Sequence, residues 1–135
     1  MKRLISTHYS SFAFNLATFV LRATLGVLMV PHGYNKLVHF AEKQKEFMNF
    51  LGIGSTTSLV LVVFAEFFCA IFLVMGLFTR VTAAILAIVM AVAVFKAHNG
   101  EVFGDGEMGM LFLGGFISIL LLGGGKASLD GLLSK

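Results

Sequence analysis

The chain has 135 residues, of which 58% are hydrophobic and 13% charged, with a net charge of +3. An ordinary soluble domain carries about 25% charged residues, and a disordered chain is poor in apolar residues, so the composition excludes both. Four spans of about 20 residues account for most of the length. This leaves a small integral membrane protein with no separate soluble domain, a single transmembrane domain over 1–135.

The first apolar segment predicts a helix over about 12–31. It carries one charge, Arg22, and Pro31 is expected to bend or end it. Lys2 and Arg3 resemble the start of a signal peptide. Ser6 to Ser11 part them from the apolar run, however, and no small-residue cleavage site follows, so the helix is read as retained. Leu37, Phe40, Ala41, Phe47, Met48 and Leu51 then recur at helical spacing, with Glu42, Lys43, Lys45 and Glu46 on the other side. That pattern predicts an amphipathic helix over about 37–51 lying on the bilayer surface, ended by Gly52-Ile53-Gly54-Ser55.

The second span is expected over 59–78 and holds one charge, Glu66. Phe78-Thr79-Arg80 is a tight turn into a third span over 81–98, so these two helices are antiparallel neighbours. A fourth helix over 106–123 stops at Gly123-Gly124-Gly125. Its apolar core, like that of the third, is short for a ~30 Å hydrocarbon layer. The expected fold is an all-α, antiparallel four-helix membrane bundle with the interfacial helix between helices one and two. Lys2, Arg3, Arg80, Lys126 and Lys135 stand against Lys36, Lys43, Lys45 and Lys96. The positive-inside rule, five to four, places both termini in the cytoplasm. His32, Lys36, His98 and Glu107 then lie at outer helix ends.

Charges within membrane spans cost about 2.5–3.5 kcal/mol each on the insertion scale. Arg22 and Glu66 fall at similar predicted depths on neighbouring helices, which suggests an ion pair between them. That pair either sets helix register alone or marks a polar chamber. The spacing puts Arg22, Gly26, Met29, Gly33 and Lys36 on one face. Ala84, Ala87, Ala91, Val94 and His98 share another, and Glu107, Leu111, Gly114 and Ser118 a third. Small residues on such faces serve close packing. With polar groups at their outer ends they also enclose a cavity open to the outer side. His32 and His98 have the chemistry for axial haem ligation, but no HxxxH spacing supports a haem or a metal site. An interfacial histidine bonded to water, lipid or Glu is the commoner case. Cys69 is a lone buried hydrophobe, so no disulfide or CxxC motif exists. The scattered positive charge forms no basic block and excludes a nucleic-acid partner.

These residues, in their order, resemble the DoxX family of small bacterial membrane proteins. The likeness is carried by Leu21-Arg22, Leu25-Gly26, His32-Gly33-x-x-Lys36-Leu37, Phe50-Leu51-Gly52 and Ala65-Glu66-Phe67. It continues through Gly76-Leu77-Phe78-Thr79-Arg80, Met90, His98-Asn99-Gly100, Gly106-Glu107 and Gly123-Gly124-Gly125-Lys126-Ala127-Ser128-Leu129-Asp130. Gly124 departs from a Pro common in relatives. The resemblance implies a four-helix protein of the inner membrane that partners oxidoreductases. One branch is similar to the large subunit of a quinone-dependent thiosulfate oxidoreductase, and others are linked to thiol homeostasis and oxidative stress. Six motif residues carry over as site candidates. Glu66, His98 and Glu107 would be catalytic proton carriers, and Arg22, His32 and Lys36 would bind a quinone or small anion. Arg80 matches too but lies at the opposite end.

Three functions follow as expectations. The first is a redox-linked membrane subunit of a quinone-linked oxidoreductase, whose electrons must come from a cofactor or partner protein. The second is a scaffold for a partner oxidoreductase, docking through the exposed side of the 37–51 helix. The third is a small proton-coupled transporter, which four short helices would permit only as a homo-oligomer.

Overall fold

The computed structural model describes residues 1–135. It contains helices and turns without strands. The first helix, α1, runs Ser11–Val38, and Ser10 caps it by accepting from the Ala13 amide at 3.1 Å. Pro31 lies inside α1 and does not end it. A proline costs one backbone hydrogen bond, and packed apolar helices tolerate that loss. The helix therefore continues seven residues beyond Pro31 and carries His32 and Lys36 on its last turns.

The interfacial helix expected over 37–51 is not formed. A single turn, α2 (Phe40–Lys43), is followed by irregular chain. Leu51, Gly52 and Gly54 take φ values of 52°, 77° and 96°, which no helix accommodates. Asn49 Oδ1 accepts from the Gly54 amide at 2.8 Å, and Ser58 Oγ from the Phe50 amide at 3.0 Å. These side-chain bonds satisfy a turning backbone and compete with helix. The apolar pattern survives with another use: Phe47, Met48 and Phe50 fold as a strap against the two helices that follow.

Helix α3 runs Ser55–Met75 and contains a widened π-type turn over Phe64–Cys69. Gly76, at φ 73°, ends it. Its amide donates to the Leu73 carbonyl at 3.0 Å, and the Leu77 amide to Phe72 at 2.9 Å, the pairing of a Schellman cap. Helix α4 runs Thr79–Ala97 and also ends in a π-type turn, Ala93–Ala97. Helix α5 covers Glu107–Leu122, and a short α6 covers Leu129–Leu133. By length and composition α1, α3 and α4 are each able to cross a membrane. The 16 residues of α5 give about 24 Å of helix. Gly26 meets Ala70 and Val74, and Gly33 meets Glu66, so α1 and α3 run in opposite directions. Gly109 against Val94 and Gly123 against Arg80 set the same opposition between α4 and α5.

All four long helices feed one core, in which Met29, Leu73, Leu86 and Phe116 are buried. The expected inward face of α1 is buried from Arg22 through Gly33. That of α4 is turned by about one residue, toward Ala83, Leu86, Met90 and Val94. The face expected for α5 points outward instead. Phe112, Leu113, Phe116 and Ile119 are buried, whereas Leu111 and Gly114 are exposed and Ser118 is half-buried. Large side chains fill the core better than Gly114 and Ser118 could, and the Ser118 hydroxyl donates to the Gly114 carbonyl on its own helix at 2.8 Å.

At the end of the molecule bearing both termini, Arg22 closes the structure. Only 1% of its surface is exposed. Nη1 donates to the carbonyls of Leu73, at 3.0 Å, and Val74, and Nη2 to that of Ala127 at 2.6 Å. The Phe19 ring centroid lies 5.5 Å from the guanidinium carbon. The guanidinium thus sits where the last carbonyls of α3 lack helical partners and its dipole is negative. Gly76 leaves it room, since a Cβ there would lie 2.9 Å from Nη1. Asp130 completes the junction. Its two carboxylate oxygens accept from the Phe78 and Thr79 amides at 2.8 and 2.7 Å, capping the start of α4, while its own amide donates to the Gly76 carbonyl at 2.9 Å.

Partial burial opposes ionisation of Asp130, but the Thr79 and Phe78 amides and the charge of Arg22 outweigh it and hold the carboxyl below the usual carboxylate range. Its stabilisation is therefore complete above about pH 4 and is lost as acid protonates it in the folded state. Asp130→Asn should cost about 1 kcal/mol near neutrality. It should also remove part of the acid-dependent loss of thermal stability, as measured by unfolding in detergent across pH.

Candidate functional site

Gly33 decides the geometry at the other, distal end. A Cβ there would lie 2.5 Å from the Glu66 carbonyl carbon and the Phe67 amide nitrogen. Helices α1 and α3 therefore touch backbone to backbone, as small residues permit. One turn later on α1, Lys36 reaches across, and its Nζ lies 2.5 Å from Glu66 Oε2. The Glu66 side chain is 6% exposed and that of Lys36 23%. The ion pair expected between Arg22 and Glu66 is thus replaced by two separate solutions. Because α1 passes through Pro31, Arg22 lies 16 residues, about 24 Å, before its end at Val38 and meets the far end of α3.

Glu66 belongs to the π-type turn of α3, and His98 follows the π-type turn of α4. Such turns widen a helix, change the phase of the side chains beyond them and recur at functional sites. Between the two helices lies a pocket of about 460 Å³. Lys36, Glu66 and His98 supply polar groups, Val62, Val89 and Val92 apolar wall, and Phe47, Met48 and Phe50 of the strap a cover. Leu61 and Ile88 form its rim and are 50% and 64% exposed. The opening therefore lies between apolar helix faces.

Of the six residues expected from the sequence, the structure brings together Lys36, Glu66 and His98. Arg22 is spent on backbone carbonyls at the terminal end. His32 is exposed and packs edge-on against Phe112, with ring centroids 6.0 Å apart. Glu107 is exposed in the first turn of α5, on the helix face that turns outward. No three His, Cys, Asp or Glu side chains converge as a metal ion would require. Glu46 also lines the pocket. Its position in the strap was hidden by the helical pattern assigned to 37–51.

The pair can be tested by double substitution. Lys36→Met alone leaves a buried carboxylate without its partner and should destabilise the protein by about 2 kcal/mol. Lys36→Met with Glu66→Leu should recover much of that loss, with a coupling above 0.5 kcal/mol in a double-mutant cycle of unfolding in detergent.

Residues 17–99 match the family model described as DoxX. That stretch holds Lys36, Glu66 and His98 together with Arg22 and His32, whereas Glu107 and Asp130 lie beyond it. The chain is also 28% identical over 127 residues to the inner membrane protein YqjF of Escherichia coli strain K12, covering 90% of this chain and 95% of that one. No solved structure matches. With the model covering more than half of its length, the chain belongs to the DoxX family.

Proposed function

We propose that this chain is a multi-pass protein of the inner membrane, with α5 as a fourth span and both termini cytoplasmic. Its distal pocket holds the head of a neutral quinone as the membrane subunit of a redox system. The observation that carries this reading is the pocket itself: apolar walls, an opening between apolar helix faces and one buried ion pair at its polar end. Lipid-soluble molecules reach such an opening without crossing water.

Charge separates the quinone from the small anion also considered. Arg22 is not in the pocket, and the charge of Lys36 is neutralised by Glu66. With Glu46 the lining carries two carboxylates against one ammonium, which disfavours an anion by simple repulsion. A neutral carbonyl oxygen asks only for a donor. Lys36 Nζ, with three N–H groups, supplies one while still bonded to Glu66, and His98 can supply another.

A bound quinone takes two electrons and two protons to become a quinol. None of the pocket side chains is itself an electron carrier, so the electrons come from a cofactor or a partner oxidoreductase. The residues here position and exchange protons: Lys36 and His98 toward the carbonyl oxygens, Glu66 behind Lys36 as the compensating charge. The scaffold reading relied on the exposed side of a 37–51 helix, of which only the single turn Phe40–Lys43 is formed.

Equilibrium dialysis of the purified protein in zwitterionic nanodiscs against decylubiquinone tests the proposal. Saturable binding is expected. Loss of the Lys36 donor in Lys36→Met should weaken it about tenfold, the equivalent of one hydrogen bond. Ile88→Trp should block the rim, and His32→Ala should leave binding intact. Unsaturable partition, or binding indifferent to Lys36 and Ile88, would overturn the assignment.

A further inference from the structure

A second hollow, of about 400 Å³, adjoins the pocket at the distal surface. Its walls are Asn35, His39, Glu42, Lys43 and Glu46, with no apolar residue among them. The two cavities differ in kind, one polar and one mainly apolar, and they share one residue, Glu46. They also adjoin along α1, where Asn35 of the hollow directly precedes Lys36 of the buried pair.

This arrangement constrains how a proton reaches Glu66. The pocket rim at Leu61 and Ile88 faces the region of lipid contact, and a proton does not arrive through hydrocarbon. On the other side stands the strap, whose Phe47, Met48 and Phe50 present apolar side chains to the pocket. Glu46 is the titratable strap residue that lines both spaces. Its side chain is exposed and takes no part in an ion pair, since the pair within 4.0 Å in this chain joins Lys36 and Glu66. His39 is held to its own helix, with Nδ1 3.0 Å from the Asn35 carbonyl oxygen. Glu42 and Lys43 line the hollow alone.

We propose that Glu46 is the group through which the buried Lys36–Glu66 pair exchanges protons with water at the distal surface. The use of this exchange rests on the reading of the pocket as the place where a quinone gains or loses protons. The exchange itself belongs to the unliganded protein. Glu46 takes a proton from the water-filled hollow and passes it inward, directly or through one water. The groups that face it are Lys36 from α1, Glu66 from α3 and His98 from α4 on the pocket side, with His39, Glu42 and Lys43 on the hollow side.

The test uses unliganded protein in zwitterionic nanodiscs and an acidifying photolytic pH jump. The infrared carboxyl band of Glu66, identified by its absence in Glu66→Gln, reports arrival of the proton. Glu46→Gln should slow that arrival about tenfold or more while leaving the final amplitude unchanged. Glu46→Asp, which keeps a carboxylate, should restore most of the rate, and Glu42→Gln should have little effect. An unchanged rate in Glu46→Gln, or equal slowing by Glu42→Gln, would overturn the proposal. No quinone is present, so failure here is separate from failure of decylubiquinone to bind.

Discussion

A guanidinium buried inside a helical bundle has to find acceptors, and Arg22 finds them in backbone. Its bonds to the carbonyls of Leu73, Val74 and Ala127 join the middle of α1, the end of α3 and the chain after α5 at one point. A buried cation without partners is prohibitively costly, so those three segments cannot separate without exposing it to hydrocarbon. Asp130 reinforces the same point from the opposite sign, capping α4 while it lies in the field of Arg22. The long helices are thereby registered at the terminal end by polar bonds, and apolar packing operates within that register.

The distal end is built on the reverse principle. There Gly33 removes side-chain bulk, the backbones of α1 and α3 meet, and Lys36 comes within reach of Glu66. Below the pair the helices are packed. Beside it the π-type turns of α3 and α4 and the strap over Phe47–Phe50 leave about 460 Å³ unfilled. One end of the molecule is thus polar and closed, the other polar and open.

Much of this was legible in the sequence. The helical class, the apolar segments that form α1, α3, α4 and α5, and the buried stripe Arg22–Gly26–Met29–Gly33 follow from composition and a 3.6-residue period, although the third segment reads shorter than the 19 residues it spans. The partner of each buried charge did not follow. A depth measured from Pro31 as a helix end sets Arg22 beside Glu66, but α1 runs seven residues further and Arg22 lies beside Leu73. Periodicity also cannot distinguish a helix lying on lipid from a strap whose apolar residues cover a pocket. Gly52 and Gly54 marked the end of the 37–51 stretch, but nothing local announced that Asn49 and Ser58 would take over its backbone bonds. For α5 the small-residue stripe was a poor guide because the core needed volume there, which Phe112 and Phe116 supply.

The motif residues divide along the same line. Gly76-Leu77-Phe78-Thr79-Arg80 and the stretch from Gly123 to Asp130 fold onto one another through Arg22 and Asp130. What these residues must supply for those bonds is geometric. Gly76 must lack a Cβ to admit the guanidinium, and Asp130 must place two oxygens on consecutive amides. His32-Gly33-x-x-Lys36 and Ala65-Glu66-Phe67 instead meet at the pocket, where a glycine and two charges create a cavity with a polar end. A motif in a membrane protein of this size thus has two distinct physical origins. Only the second kind leaves space beside its charged groups, and that space, more than the charge itself, is what the proposed quinone site rests on.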